Sequence, residues 1–236
     1  MKNTLTLLGF IFFFGLIQQS VSAQSSFNEN ANTFFEKFVQ NGAVDYTGIK
    51  QQPEQLNLLV KEIENYTLTD DKSNYPFYLN AYNVLVINQI IQNYPIDSPM
   101  SIDGFFDKNT FNVAGKNISL NHLENEIIRP TYKDARIHFA LVCGAVGCPK
   151  LANKAFTNDN VQSLLTKNTR KALNNPDFIK YDGQNLAISK IFDWYKEDFG
   201  GDAASFLKFI NEYRENAIPE NTEVGYYEYD WSVNKQ

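Results

Sequence analysis

Histidine and cysteine are scarce in this sequence, whose 236 residues contain two of each. Numbers this small exclude modules that need many imidazole or thiolate groups, such as multi-zinc domains and disulfide-rich scaffolds. All four residues lie between His122 and Cys148. Any site built from them must therefore be confined to this short stretch of the chain.

Concentrated positive charge is also absent. The formal net charge is −6, and the Lys and Arg residues are scattered along the chain. Nucleic acids and anionic membrane surfaces select proteins through clustered positive charge. We therefore expect no nucleic-acid partner. No Pro-rich, Ser-rich or repeated stretch marks a linker between domains.

Long apolar runs are limited to the N-terminus. Lys2 precedes the apolar run Leu5–Ile17, and the small residues Val21–Ala23 stand where a signal peptidase cuts. The run is shorter than the roughly 20 residues of a membrane-spanning helix, and Gln24 lacks the thiol that bacterial lipoproteins acylate. The pattern predicts a cleavable signal peptide over residues 1–23, a secreted or periplasmic location, and no membrane anchor after cleavage.

Residues 24–236, 213 residues, are predicted to form a single globular domain. Apolar periodicity and turn residues predict helices, hairpins and one prominent strand. The clearest are helices over 31–39 and 76–93, hairpins over 111–118 and 178–188, and a strand over 136–142. Because helices outnumber strands and the strands arrive in hairpins, we predict an α+β fold, mostly helical, with a small and mainly antiparallel sheet.

The two cysteines allow three chemical interpretations. In an oxidising compartment, the four residues between Cys143 and Cys148, two of them glycines, permit the tight turn of a structural disulfide. Either thiol could instead be a nucleophile, with His138 as its base. An extended chain from His138 to Cys143 would place the two side chains on opposite faces, so that Cys148 returns to His138 more easily.

The third interpretation is a zinc site formed by His122, His138, Cys143 and Cys148. These are ligand types that zinc prefers, but their spacing matches no standard zinc finger or ribbon. We therefore predict no metal site and no cofactor.

Three polar residues interrupt apolar helix faces. Glu124 lies on the apolar face of its predicted helix, where an unpaired carboxylate would cost several kcal/mol. Arg129 points elsewhere on that helix, so His138 or Arg136 is the expected partner, either in a structural ion pair or to orient His138. Asn80 and Asn83 share one face of the central helix, where buried amides either fix a loop or line a substrate pocket.

Five motifs carry a family resemblance. They are Phe77–Asn83, Arg136–Cys143, Cys148–Pro149, Ser189–Tyr195 and Tyr229–Asn234. In this order they resemble the family called domain of unknown function 547, over about residues 44–234. The resemblance implies one domain, supports export for bacterial members and supplies no established reaction. Its plant members occur in intracellular proteins, which argues against cysteines that serve only as a disulfide. Asn125 departs from the family, which often has His after the Glu, so we assign no role to a His of that helix.

The leading functional hypothesis is a secreted domain with a pocket that acts as a thiol-dependent hydrolase. Cys143, His138, Glu124 and Cys148 are the candidate catalytic residues, and Asn80, Asn83 and Arg129 are the candidate substrate-binding residues. The ligand would be a small molecule, a peptide or a glycan; the aromatic stretches 192–195 and 226–231 are expected to pack in the core or to stack on a sugar. The alternative is a non-catalytic binding or scaffold domain with a structural Cys143–Cys148 disulfide.

Overall fold

The structure is a computed structural model that describes residues 26–69 and 72–236. The predicted signal peptide, residues 1–23, lies outside this part of the chain. Within it, no helix has both the length and the apolar character needed to cross a membrane.

The N-terminal half is mainly helical. Its helices are α1 (26–38), α2 (Tyr46–Gln51), α3 (Glu54–Glu64) and α4 (Tyr75–Asn93), with 3-10 turns at Lys72–Asn74 and Pro99–Ser101. Its strands are β1 (Val39–Gln40), β2 (Ala43–Val44), β3 (Thr110–Val113) and β4 (Lys116–Ser119).

A composite helix begins the second half. It consists of α5 (Leu120–His122), a π-helical segment (Leu123–Ile128) and α6 (Arg129–Tyr132). It is followed by a 3-10 helix (Ala135–Phe139), α7 (Val161–Leu173), β5 (Ile179–Tyr181), β6 (Leu186–Ile188), α8 (Ile191–Trp194), a 3-10 turn (Lys196–Phe199), α9 (Ala203–Tyr213) and β7 (Val224–Tyr226).

The strands form three small sheets among the described residues. Three antiparallel hairpins pair β1 with β2, β3 with β4, and β5 with β6. Only β7 is added in parallel, against β6. The predicted fold class, mostly helical α+β with small and mainly antiparallel sheets, is confirmed.

Helix α4 lies at the centre of the larger of two apolar clusters. Pro76 is tolerated in its first turn because the N–H that proline lacks has no helical partner there. Nearly all of the helix is buried on every side, as its apolar sequence predicts. The second cluster is formed by Phe139, Leu173, the β5–β6 hairpin and α9. Ile137 and Ala140 belong to the first cluster and Phe139 to the second, so the segment around Phe139 packs against both.

The predicted strand over 136–142 is wrong. Residues 135–139 form a 3-10 helix, which Asp134 caps by accepting a hydrogen bond from the Arg136 N–H. Farther on, the side chain of Asn83 bonds to the Ala140 carbonyl and to the Val142 N–H. A cap and a side-chain amide thus satisfy the peptide groups that a neighbouring strand would satisfy in a sheet.

The π-helical segment changes the direction of the side chains around Glu124. The N–H of Arg129 bonds to the carbonyl of Glu124, five residues earlier, and Pro130 has no N–H to donate. Such single-turn π segments recur at functional sites because they alter which side chains share a face. Arg129 and Glu124 therefore lie closer in angle than an α-helix would place them.

Candidate functional site

A cavity of about 220 Å³ lies where residues of the two apolar clusters meet. Six of its lining side chains are aromatic: Tyr82, Phe106, Trp194, Tyr195, Tyr229 and Trp231. Its other lining residues include Glu124, His138 and both cysteines. The cavity thus combines apolar aromatic walls with a small set of chemically active groups, as ligand sites commonly do.

Two phenols lie beside the Glu124 carboxylate. Tyr82 from α4 and Tyr195 from the segment after α8 both interact with it electrostatically. The pKa of each phenol is raised well above its ordinary value, first by burial and then by the negative charge of Glu124. Both phenols therefore remain protonated donors, which explains how a carboxylate is tolerated on an apolar helix face.

His138 connects two carboxylates at the inner end of the cavity. Its Nε2 lies 2.7 Å from an Asp198 oxygen, and its Nδ1 lies 3.9 Å from Glu124 Oε1. Its ring stacks on Tyr195, with the ring centroids 4.0 Å apart. The His138 side chain is 2% exposed, so these contacts fix the orientation of the ring.

Asp198 is bound on its other side by Arg129. The guanidinium donates to both carboxylate oxygens, from Nε at 2.7 Å and from a terminal nitrogen at 2.9 Å. Burial alone would raise the pKa of Asp198, but the hydrogen bonds and charges of His138 and Arg129 outweigh it, so the pKa lies well below its ordinary value. Asn125 accepts a further hydrogen bond from Arg129 at 2.6 Å and thereby supports this pair.

Cys143 and Cys148 form a disulfide, with their Cα atoms 6.4 Å apart. Of the three interpretations that the sequence left open for these cysteines, the structure has the disulfide. The turn between them requires Gly144, whose φ is +80° and whose position would bring a Cβ to 2.4 Å from Ile90 Cδ1. In this oxidised form neither cysteine is a thiolate, so neither can act as a nucleophile.

Two donors surround the disulfide. The N–H of Cys143 donates to the Cys148 sulfur at 3.0 Å. The phenolic oxygen of Tyr229 lies 3.1 Å from each sulfur. Burial raises the pKa of Tyr229 above its ordinary value, with further contributions from Tyr227 and Glu124. The hydroxyl consequently stays protonated and available to a sulfur.

The two asparagines lie away from this cavity. The Asn80 amide bonds to the Phe156 N–H at 2.9 Å and to its carbonyl at 2.8 Å. The Asn83 amide binds Ala140 and Val142 in the same bidentate manner. Each thus fixes a loop against α4, and a contact with substrate stays a prediction for both.

The other sequence-predicted residues divide between the cavity and its surroundings. Glu124, His138, Cys143 and Cys148 converge on the cavity, whereas Arg129 lies behind it and contacts Asp198. Arg136 pairs with Asp134 at 2.7 Å rather than with Glu124. His122 is exposed. In the described part of the chain, no group of three or more His, Cys, Asp or Glu side chains could hold a metal ion.

Sequence reasoning missed Asp198, and it left open whether the aromatic stretches pack in the core or line a ligand site. Asp198 is one of many acidic residues, and no local pattern separates it from the others. The only signal for it was general: a buried His needs an acidic partner. Trp194 and Trp231 stack at 5.7 Å, and the Tyr229 ring lies 4.8 Å from each. These rings come from the aromatic stretches whose position the sequence left open.

Comparison with known proteins gives one match. The family model described as "Protein of unknown function, DUF547" matches residues 66–172, a segment that contains Glu124, His138 and both cysteines. No curated protein and no solved structure matches the chain. The DUF547 family is thus shown for residues 66–172 of this chain.

Proposed function

We propose that this chain is an exported protein that binds a small molecule in the cavity around Glu124 and His138. The observation that carries the proposal is the composition of the cavity, which combines six aromatic side chains with Glu124 and His138. Aromatic rings supply contact area, and a few placed polar groups fix the orientation of a ligand.

The polar groups indicate the kind of ligand. Glu124 is an acceptor that borders the cavity beside Tyr82 and Tyr195, where it can accept a hydrogen bond from an N–H or O–H group of a ligand. The Trp194 side chain, 46% exposed, and its neighbour Trp231 offer ring faces for an apolar surface. A small molecule with one apolar face and at least one hydrogen-bond donor, such as a sugar or an amine, fits this arrangement.

Export is supported by the N-terminal pattern and by the disulfide, because disulfides persist mainly in oxidising compartments. We expect intact mass of the protein purified from a bacterial periplasm to show cleavage after Ala23 and two hydrogens fewer than the reduced chain. Retention of residues 1–23, or two free thiols in that preparation, would contradict the export proposal.

Binding is tested by screening small sugars and amines by ligand-observed NMR, with tryptophan fluorescence as the second readout. For any ligand found, Glu124→Gln should weaken binding about tenfold or more, because a hydrogen bond to a charged group contributes roughly 1.5–3 kcal/mol. Glu126→Gln is the matched control, since Glu126 is exposed on the same helical segment. A ligand whose affinity is equal in both variants does not use this cavity.

The second candidate function is a thiol-dependent hydrolase. One observation favours it: both cysteines border the same cavity as His138 and Glu124. The disulfide must first be reduced, and His138 must exchange its bond to Asp198 before its Nε2 can accept a thiol proton. The reduced protein should then hydrolyse p-nitrophenyl acetate faster than reduced variants Cys143→Ser, Cys148→Ser and His138→Asn. Equal rates in all four proteins would exclude this chemistry.

A further inference from the structure

The disulfide is part of the cavity wall, although the binding function proposed above gives it no role. Cys143 is half-buried, whereas Cys148 is only 6% exposed. A molecule that enters the cavity therefore reaches the Cys143 sulfur more easily than the Cys148 sulfur. The two sulfurs of the disulfide thus differ in how easily a ligand in the cavity reaches them.

The two sulfurs also differ in their hydrogen bonds. Cys148 accepts from the Cys143 N–H at 3.0 Å, and it shares the Tyr229 hydroxyl with Cys143. A disulfide breaks faster at the sulfur that is the better leaving thiolate, and hydrogen bonds to a sulfur stabilise its charge. Cys148 is therefore the better leaving thiolate, and Cys143 is the sulfur that an incoming thiolate attacks.

We propose that the cavity supports thiol–disulfide exchange with a small thiol, in which Cys143 is attacked and Cys148 leaves as a thiolate. The inference rests on the proposed binding function and names a ligand class for it. The cavity has a volume of about 220 Å³ and is bordered by Phe106, Trp194 and Trp231. A low-molecular-weight thiol fits such a cavity better than a thiol on the surface of another protein does.

The exchange balances in two steps. A ligand thiolate forms a bond to the Cys143 sulfur while the Cys143–Cys148 bond breaks and its electron pair stays on Cys148, next to the Cys143 N–H and the Tyr229 hydroxyl. A second ligand thiolate then attacks the ligand sulfur of the mixed disulfide and releases Cys143 as a thiolate. Two thiols are oxidised to one disulfide, the protein disulfide is reduced, and the two cysteine thiolates take up the protons that the ligand thiols lost.

The first test compares single-cysteine variants. In Cys143→Ser the remaining Cys148 keeps both donors, whereas in Cys148→Ser the remaining Cys143 has only the Tyr229 hydroxyl. The pH dependence of alkylation by iodoacetamide should therefore have a lower midpoint for Cys148 than for Cys143. Equal midpoints, or the reverse order, would overturn the assignment of the leaving sulfur.

The second test needs no cysteine variant. Benzyl mercaptan should reduce Tyr229→Phe about fivefold to tenfold more slowly than the wild type, because a lost hydrogen bond to a charged group corresponds to about one decade in rate. Tyr226→Phe is the control, since Tyr226 is exposed on β7 and lies outside the cavity. Equal rates for the wild type and Tyr229→Phe would overturn the role of the phenol.

A third measurement separates this inference from the binding function. Benzyl alcohol has the same ring as benzyl mercaptan but cannot exchange, so its effect on tryptophan fluorescence reports binding alone. Binding of the alcohol together with no reduction by the mercaptan would overturn the exchange and leave the binding function standing. If neither compound acts, both proposals fail for this ligand class. Faster reduction by a peptide with a single thiol than by benzyl mercaptan, compared at equal thiolate concentration, would overturn the small-thiol assignment.

Discussion

Two pairs among the buried polar side chains of the described residues are used in different ways. The side-chain amides of Asn80 and Asn83 of α4 form hydrogen bonds with the backbone of two loops. Glu124 and His138 instead bond to ionisable side chains and border a cavity. Both groups look alike in sequence, as polar residues in apolar segments. Their partners distinguish them: bonds to peptide groups are typical of a structural role, whereas phenols and carboxylates beside a cavity support the binding role that we propose.

The largest effect is expected at the structural group. Asn83→Ala would leave the Ala140 carbonyl and the Val142 N–H buried without a partner. We expect the free energy of unfolding to fall by about 2–4 kcal/mol, since each such group costs about 1–3 kcal/mol. Urea unfolding measures this loss. Asn57→Ala, at an exposed position of α3, is the control, and an equal change in both variants would remove the distinction between buried and exposed amides.

A smaller effect is expected from the ion pair behind the cavity. The pKa of folded Asp198 lies below its unfolded value of about 3.9. Its ionised form therefore stabilises the fold above about pH 4, and this stabilisation is lost as the pH falls toward the folded pKa. We expect the difference in unfolding free energy between the wild type and Asp198→Asn to shrink from pH 5 to pH 2.

Asp193→Asn is the control for this pH series. Asp193 lies five residues before Asp198, is exposed and has Lys190 at 3.7 Å as its ion-pair partner. Its substitution should leave the difference nearly constant over the same range, because surface pairs contribute roughly 0–1 kcal/mol. A parallel slope in both variants would mean that Asp198 gains nothing from His138 and Arg129.

The fold and the site were predictable to different degrees. The continuous apolar character of residues 76–93 located α4, and the turn residues located the hairpins, because these signals are local. The segment 136–142 has a β-type composition, but Asp134 and Asn83 supply its hydrogen bonds from outside, which no local pattern reveals. Asp198 is 60 residues from His138 along the chain. Only the packing of the turn Lys196–Phe199 against the 3-10 helix Ala135–Phe139 brings them together.

The smallest effect on stability is expected at Glu124. Glutamine has the same shape as glutamate and keeps an oxygen that accepts from Tyr82 or Tyr195, while it removes a buried charge whose desolvation opposes folding. We expect Glu124→Gln to change the free energy of unfolding by less than about 1 kcal/mol, as measured by urea unfolding beside Glu126→Gln. A loss as large as that of Asn83→Ala would show that Glu124 serves the fold, and the two buried groups would then no longer differ in kind.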